Sequence, residues 1–328
     1  MPAASQSLDY SALSRKVAYS QVRKHKEFWY IPPLVVIGVV SVGFTYAAFV
    51  YSGISGAFAA AAFGITMLLF AAVAYQWIAN KIRMTEFAQA NDMTYSTNLA
   101  YDNRPGVIFH EGNSKKFREI LSSTKHAFSE MGTYEYATGS GKNRTIHTFG
   151  FVKIKLPRKL PNIVLDSKKN NFLGKISNLP SSMSGNQKLS LEGDFDSYFT
   201  LYTPKQYERD ALYIFTPDVM QAIIDAAQDY DCEVIDDTFY LYSKTPLDLK
   251  KPKQIQEMLN ITGKLRAELT AQTDYYADDR LGDRALNTVA EPGVRLRRRL
   301  SILQIIAIAI AAIIFIFSFL PLLLTLLS

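Results

Sequence analysis

Among 328 residues there is one cysteine, Cys232, so no disulfide closes within the chain and no multi-cysteine metal site can be built. Histidine is scarce as well. His25, His110, His126 and His147 stand at no metal-ligand spacing from one another or from Cys232. No Gly-x-Ser-x-Gly elbow marks a hydrolase nucleophile. Gly139-Ser140-Gly141-Lys142 is a fragment of a phosphate loop, but Tyr136 stands where its first glycine belongs and Asn143 where Ser or Thr should follow the lysine. Asp194 and Asp196 lack the further oxygen ligands and the closing Glu of a calcium loop. Asp229, Asp231, Asp236 and Asp237 read as solvated turn residues. These gaps lead to an expectation of no catalytic, cofactor-binding or metal-binding residues, and an enzyme is not expected.

Charge is missing from three long stretches, 28–51, 57–79 and 300–328. A hydrocarbon core ~30 Å thick is crossed by ~20 apolar residues, and each stretch supplies them. Phe28, Trp29 and Tyr30 on the first, and Tyr75 and Trp77 on the second, match the aromatic belts of membrane interfaces. Residues 52–56 have room only for a tight turn, so the first two stretches form a helical hairpin. The third holds eight isoleucines, eight leucines and three phenylalanines. None of the three has an ionisable residue inside it, whereas proton relays and ion pathways use them. They read as anchors. Gly56, Ala60 and Gly64 give the second stretch a small-residue face for close helix packing, within the hairpin or against a partner.

Lysine and arginine exceed the acids, 36 to 30, and much of the excess borders the apolar stretches. Arg15, Lys16, Arg23, Lys24 and Lys26 precede the first, Lys81 and Arg83 follow the second, and Arg295, Arg297, Arg298 and Arg299 precede the third. The positive-inside rule puts these flanks in the cytoplasm. A multi-pass protein of the bacterial inner membrane is expected, with the N-terminus and the large domain inside and the C-terminus outside. This placement explains the basic balance without nucleic acid. In the N-terminal tail, Tyr10, Leu13 and Val17 recur at helical spacing, as in a short amphipathic helix on the inner leaflet or a mobile basic tail.

Five segments follow: a basic tail over 1–27, the hairpin over 28–80, a cytoplasmic domain over 81–277, a polar linker over 278–299 and a C-terminal helix over 300–328. In the domain, Phe117, Ile120, Leu121 and Phe128 predict a helix over 114–130. Alternation predicts strands over 134–138 and 146–156 around a hairpin loop at 139–143, and further strands at 163–166, 188–191 and 198–202. Thr216-Pro217-Asp218 starts a helix with Val219, Met220, Ile223 and Ile224 on one face. A second hairpin around Asp236 and Asp237 and a helix over 253–273 complete an α+β domain attached to three transmembrane helices.

Phe87-Ala88-Gln89-Ala90-Asn91 with Tyr95, then Pro105-Gly106-Val107-Ile108-Phe109 with Gly112, resemble the segment after the hairpin in an uncharacterised bacterial membrane family, domain of unknown function 3137. Leu191-Glu192-Gly193-Asp194-Phe195-Asp196 with Phe199, and Leu212 to Met220, are similar to its later segment. The resemblance covers roughly residues 84–244; Asp92 departs from it, standing where a glycine is common. It implies an architecture without catalytic residues. Neighbouring single-span membrane proteins of the LemA type imply a membrane partner. The expected function is a membrane-anchored interaction or scaffold module, an accessory subunit of a membrane complex that touches the lipid bilayer and a membrane-protein partner or a second copy of itself. An inner-leaflet enzyme or a minor subunit of a transport complex are the alternatives. Tyr202, Tyr207 and Tyr240 are the candidate interaction surface, since tyrosine is favoured at interfaces.

Overall fold

A computed structural model describes residues 8–171, 177–180, 182–299, 309, 310, 312, 313 and 316. The chain forms two compact units, residues 1–97 with 248–253, and residues 98–247 with 254–328.

The first unit is helical, with α1 (Ser11–Ser14), α2 (Tyr19–Lys24), α3 (Ile31–Gly43) and α4 (Thr45–Ala90). Pro32 and Pro33 sit in the first turn of α3, where a missing N–H costs little. Within α4, Gly53 takes φ 68° and ψ −161°, and the helical run breaks there. The chain folds back on itself at this break, because Gly64 comes to lie on Gly38 and Val42. A Cβ at Gly64 would stand 2.6 Å from Val42 Cγ2 and 2.8 Å from the Gly38 carbonyl, so glycine sets how closely the two helices approach. Gly56 lies at the turn against Ser52 and Ala48 instead, and Ala60 is half-buried.

The expectation of three membrane-crossing helices needs correction. Among the described residues one helix, α4, is long and apolar enough to cross a membrane. The stretch expected to form the first crossing is not one rod. It begins with a three-ten turn at Phe28–Tyr30, and the α-helical run is interrupted at Phe44, where ψ is 0°. The 13 residues of α3 cover about 20 Å at 1.5 Å each, short of a ~30 Å hydrocarbon core. The expected crossing over 300–328 lies outside the described residues, apart from the five named above. The N-terminal tail is also placed. Tyr10 stacks on Phe87 with centroids 5.6 Å apart, and the Asp9 N–H donates to Asn91 Oδ1 at 2.8 Å. The Arg15 guanidinium pairs with Glu86, so the tail packs along the end of α4.

The second unit is built on an antiparallel sheet. Its strands are β1 (Met93–Ala100, of which 98–100 belong to this unit), β2 (Asn113–Ser123), β3 (Glu130–Thr138), β4 (Thr145–Ser167), β6 (Lys188–Leu189), β7 (Phe199–Tyr202) and β8 (Asp231–Ser243). They run in the order β1-β2-β3-β4-β7-β6, with β8 also on β4. A separate two-residue ladder joins β5 (Ser182–Met183) to β9 (Arg298–Arg299). The 23-residue strand β4 organises the sheet, taking β3 beside its first half, β8 along its length and β7 at its end. Pro157 and Pro161 lie at its register shifts against β8, where a missing N–H is tolerated. On the sheet, the rings of Phe117, Tyr134, Phe151, Tyr240 and Tyr242 surround Phe109 at centroid distances of 5.0–6.1 Å. The connecting helices are α5 (Phe195–Tyr198), α6 (Glu208–Ile214), α7 (Pro217–Ala227), α8 (Pro252–Thr273) and α9 (Glu291–Val294). α7 begins at Pro217, as its sequence predicts, and buries Val219, Met220, Ile223 and Ile224.

Three local expectations fail for physical reasons. The helix expected over 114–130 is strand β2. Glu119 takes φ 51° at a bulge, which lets Phe117 and Ile120, three apart, both enter the core. The hairpin expected around Asp236 is the single strand β8, kinked where Asp236 takes φ 52°. The polar linker over 278–299 is folded onto the domain: Asp278 and Leu296 are buried, and the Leu296 N–H donates to Asn162 Oδ1 at 3.0 Å.

Candidate functional site

A polar pocket of about 440 Å³ opens between α6 and the segment 275–284. Glu208 and Asp210 in the first turn of α6 suit the helix dipole, while Ala211 and Ile214 anchor its inner face. This leaves Arg209 and Tyr213 on the pocket wall. The opposite wall follows α8 and carries Tyr275, Tyr276, Arg280 and Arg284.

Behind the lining residues Asp210, Tyr276 and Arg280 lies a closed hydrogen-bond network. The Tyr207 hydroxyl donates to Asp278 Oδ2 at 2.6 Å, and the Ala290 N–H donates to the same oxygen at 2.9 Å. Asp278 Oδ1 accepts from Arg280 Nη1 at 2.9 Å, and Arg280 also reaches Asp210 Oδ2 at 2.9 Å. Its guanidinium lies 3.7 Å from the Tyr207 ring centroid, and it donates to the Gln206 carbonyl. The Tyr276 hydroxyl donates to Asp210 Oδ1 at 2.8 Å. Burial raises the Asp278 carboxyl, but hydrogen bonds from Tyr207, Ala290 and Arg280 outweigh it and hold the group below its ordinary value. Burial, and then hydrogen bonding to a carboxylate, push the Tyr207 and Tyr276 phenols well upward. Gly293 leaves room for Tyr207, since a Cβ there would meet its ring at 2.4 Å.

The pocket rim is accessible. Tyr275 is 86% exposed and Tyr213 44%. Arg280 pairs with Asp210 and Asp278, and Arg284 with Asp279, so most of the positive charge is answered locally.

The tyrosines singled out from sequence lie elsewhere. Tyr207 and Tyr240 are fully buried, the first against Asp278 and the second in the aromatic core. Tyr202 is half-buried beneath Lys188, whose Nζ lies 5.8 Å from its ring. Tyr207 and Tyr240 therefore offer no exposed surface, whereas Tyr213 and Tyr275 beside the pocket do. Of the basic flanks, Arg15 pairs with Glu86, Lys81 with Glu27 at 2.9 Å, Arg295 with Asp236 at 3.3 Å and Arg298 with Glu111 at 3.9 Å. Arg83 donates to Asn80, while Lys16, Arg23, Lys24, Lys26 and Arg297 are exposed. Arg299 is placed by its β9 backbone opposite Ser182.

Two histidines meet hydroxyls. Ser123 Oγ is 2.7 Å from His126 Nδ1, and it also accepts the N–H groups of Lys125 and His126, as in a turn cap. His147 Nε2 lies 2.8 Å from the Thr138 hydroxyl across the β3–β4 pair. Asp196 caps its own loop, accepting from Ser190 Oγ and the Leu191 N–H. Among the described residues no three His, Cys, Asp or Glu side chains gather as metal ligands. No family model matches the chain, and no curated protein or solved structure is similar to it.

Proposed function

We propose that the chain is a membrane-anchored interaction module, an accessory subunit of a membrane complex, and that its pocket between α6 and residues 275–284 receives a protein partner. One observation carries the reading: exposed tyrosines and arginines ring an open pocket that is backed by the Tyr207–Asp278–Arg280–Asp210 network. Tyr and Arg are the residue types that anchor protein interfaces, and a preorganised site reduces the entropy lost on binding. The long apolar helix α4 is the anchor, with α3 packed beside it. Exposed Val36, Phe49, Phe58, Leu69 and Phe70 give the two helices a large apolar surface that water would not favour. The basic flanks favour a cytoplasmic location for the domain. The resemblance to domain of unknown function 3137, whose members stand beside single-span membrane proteins, supports a partner in the same membrane.

The test is purification of the full chain from its native membrane in mild detergent after crosslinking. A discrete partner band is expected, weakened at least tenfold by Tyr275→Ala, which touches no core group. Recovery of the isolated chain alone, or an unchanged band in Tyr275→Ala and Arg209→Ala, would overturn the reading.

A further inference from the structure

A second polar cluster lies apart from the pocket, where β4 ends and β8 begins. The register pairs Leu165 with Cys232, and one step further sets Asp166 opposite Asp231. Residues directly opposite on antiparallel strands share a face, with Cβ atoms roughly 4.5–5.5 Å apart. Two carboxylates so placed repel one another even in water. Here both are buried, Asp166 to 6% exposure and Asp231 to 0%. Two carboxylates buried this close together are costly unless a countercharge answers them.

The loop after β4 adds amide groups. Asn170, 5% exposed, and Asn178 stand beside Asp231. The Ser167 N–H donates to Asp231 Oδ1 at 2.8 Å. Yet Asp166 Oδ1, Asp231 Oδ2, Asn170 Oδ1 and Asn178 Oδ1 are each buried with no hydrogen-bond partner among the described residues, as is Asn178 Nδ2. Orphaned buried oxygens are rare, since each costs ~1–3 kcal/mol. Four in one cluster, two of them on carboxylates, call for a cation. No ion pair among the described residues supplies it. Lys168, which donates to the Asp196 carbonyl, and Lys188, which lies over Tyr202, act on Asp166 only through space, while Asn171 and Ser177 hydrogen-bond to it.

We propose that Asp166, Asp231, Asn170 and Asn178 form a binding site for a divalent cation, Ca²⁺ in preference to Mg²⁺. Two carboxylates balance a double positive charge. Carboxylate and amide oxygens are donors for hard cations, and neither sulfur nor imidazole is in the set. Calcium tolerates irregular cages of carboxylate and carbonyl oxygens, whereas magnesium dehydrates reluctantly and keeps several waters, which a buried cluster does not accommodate well. The bound ion would fasten the loop after β4 to the start of β8.

The experiment uses the full chain in detergent, stripped with chelator, then titrated with CaCl₂, MgCl₂ or KCl. Calorimetry and thermal unfolding are both followed. One calcium per chain is expected, with a Tm rise of about 5 °C at saturating CaCl₂, a smaller rise with MgCl₂ and none with KCl. Asp231→Asn and Asp166→Asn should each abolish the calcium response; if either fails to fold, Asn170→Ala should weaken binding at least tenfold. No calcium heat and no calcium-dependent Tm in the unmodified chain would overturn the proposal. So would a calcium response that persists unchanged in these variants. Because the readout is the ion itself, failure here is distinguishable from failure of partner binding at Tyr275.

Discussion

Tyr207 shows how the role of a side chain depends on its contacts. Its ring carries the Arg280 guanidinium, its hydroxyl serves Asp278, and Gly293 leaves just enough space for it. Removing Asp278 would strand the Tyr207 hydroxyl, the Ala290 N–H and part of Arg280. Asp278→Ala should therefore cost about 3 kcal/mol, measured by denaturant unfolding of the full chain. The pH dependence has a definite sign. Asp278 is held below its ordinary value, so its stabilisation is present above about pH 4 and lost as pH falls through the folded-state value. Asp278→Asn should flatten the loss of stability between pH 5 and pH 3. None of this is legible locally, since Tyr207 and Asp278 are 71 residues apart. The same holds for Asp231. Beside Asp229 and Asp236 it reads as a solvated turn residue, yet the β4–β8 register buries it.

At the scale of elements, periodicity succeeds where backbone geometry is regular and fails at bulges. The face of α7 follows its 3.6-residue period. In β2 the bulge at Glu119 adds one residue, which turns a strand's spacing of two into three and imitates a helix. The α3–α4 contact gives an element-level prediction. Gly64→Val would drive a side chain into Val42 and the Gly38 carbonyl, and should lower the detergent Tm by several degrees. Gly43→Ala, whose added Cβ meets nothing within 4 Å, should matter less to the pairing. Equal effects in circular dichroism melts would count against a Gly38–Gly64 contact as the close point of the two helices.

For the whole molecule, the lone cysteine provides a direct topology test. Cys232 is buried, and burial with the nearby Asp231 charge holds its thiol well above the ordinary value, so it does not compete for labelling. Lys142 lies in the exposed β3–β4 loop. With the domain cytoplasmic, Lys142→Cys should resist a membrane-impermeant maleimide in intact cells and react after permeabilisation. Labelling of intact cells would place the domain on the other side. The segment after α8 also belongs to the fold, because Asn162 holds Leu296 and the buried Glu233 carboxylate together.

The sequence by itself determined the apolar pairing near the N-terminus, the basic flanks, the α7 start and the β3–β4 hairpin. Each of these rests on composition or spacing within some 20 residues, the range over which hydrophobic pattern and turn chemistry act. Tertiary structure decided the rest. It broke the first apolar stretch at Phe44, reduced the candidate crossings to α4 among the described residues, and folded the supposed linker onto the domain. It also buried Tyr207 and Tyr240 while leaving Tyr213 and Tyr275 exposed, and brought Asp166 and Asp231 together. The physical reason is common to all of these. Exposure, pairing and charge state depend on which distant strand or segment lies opposite, and strand register fixes that only once the chain has folded.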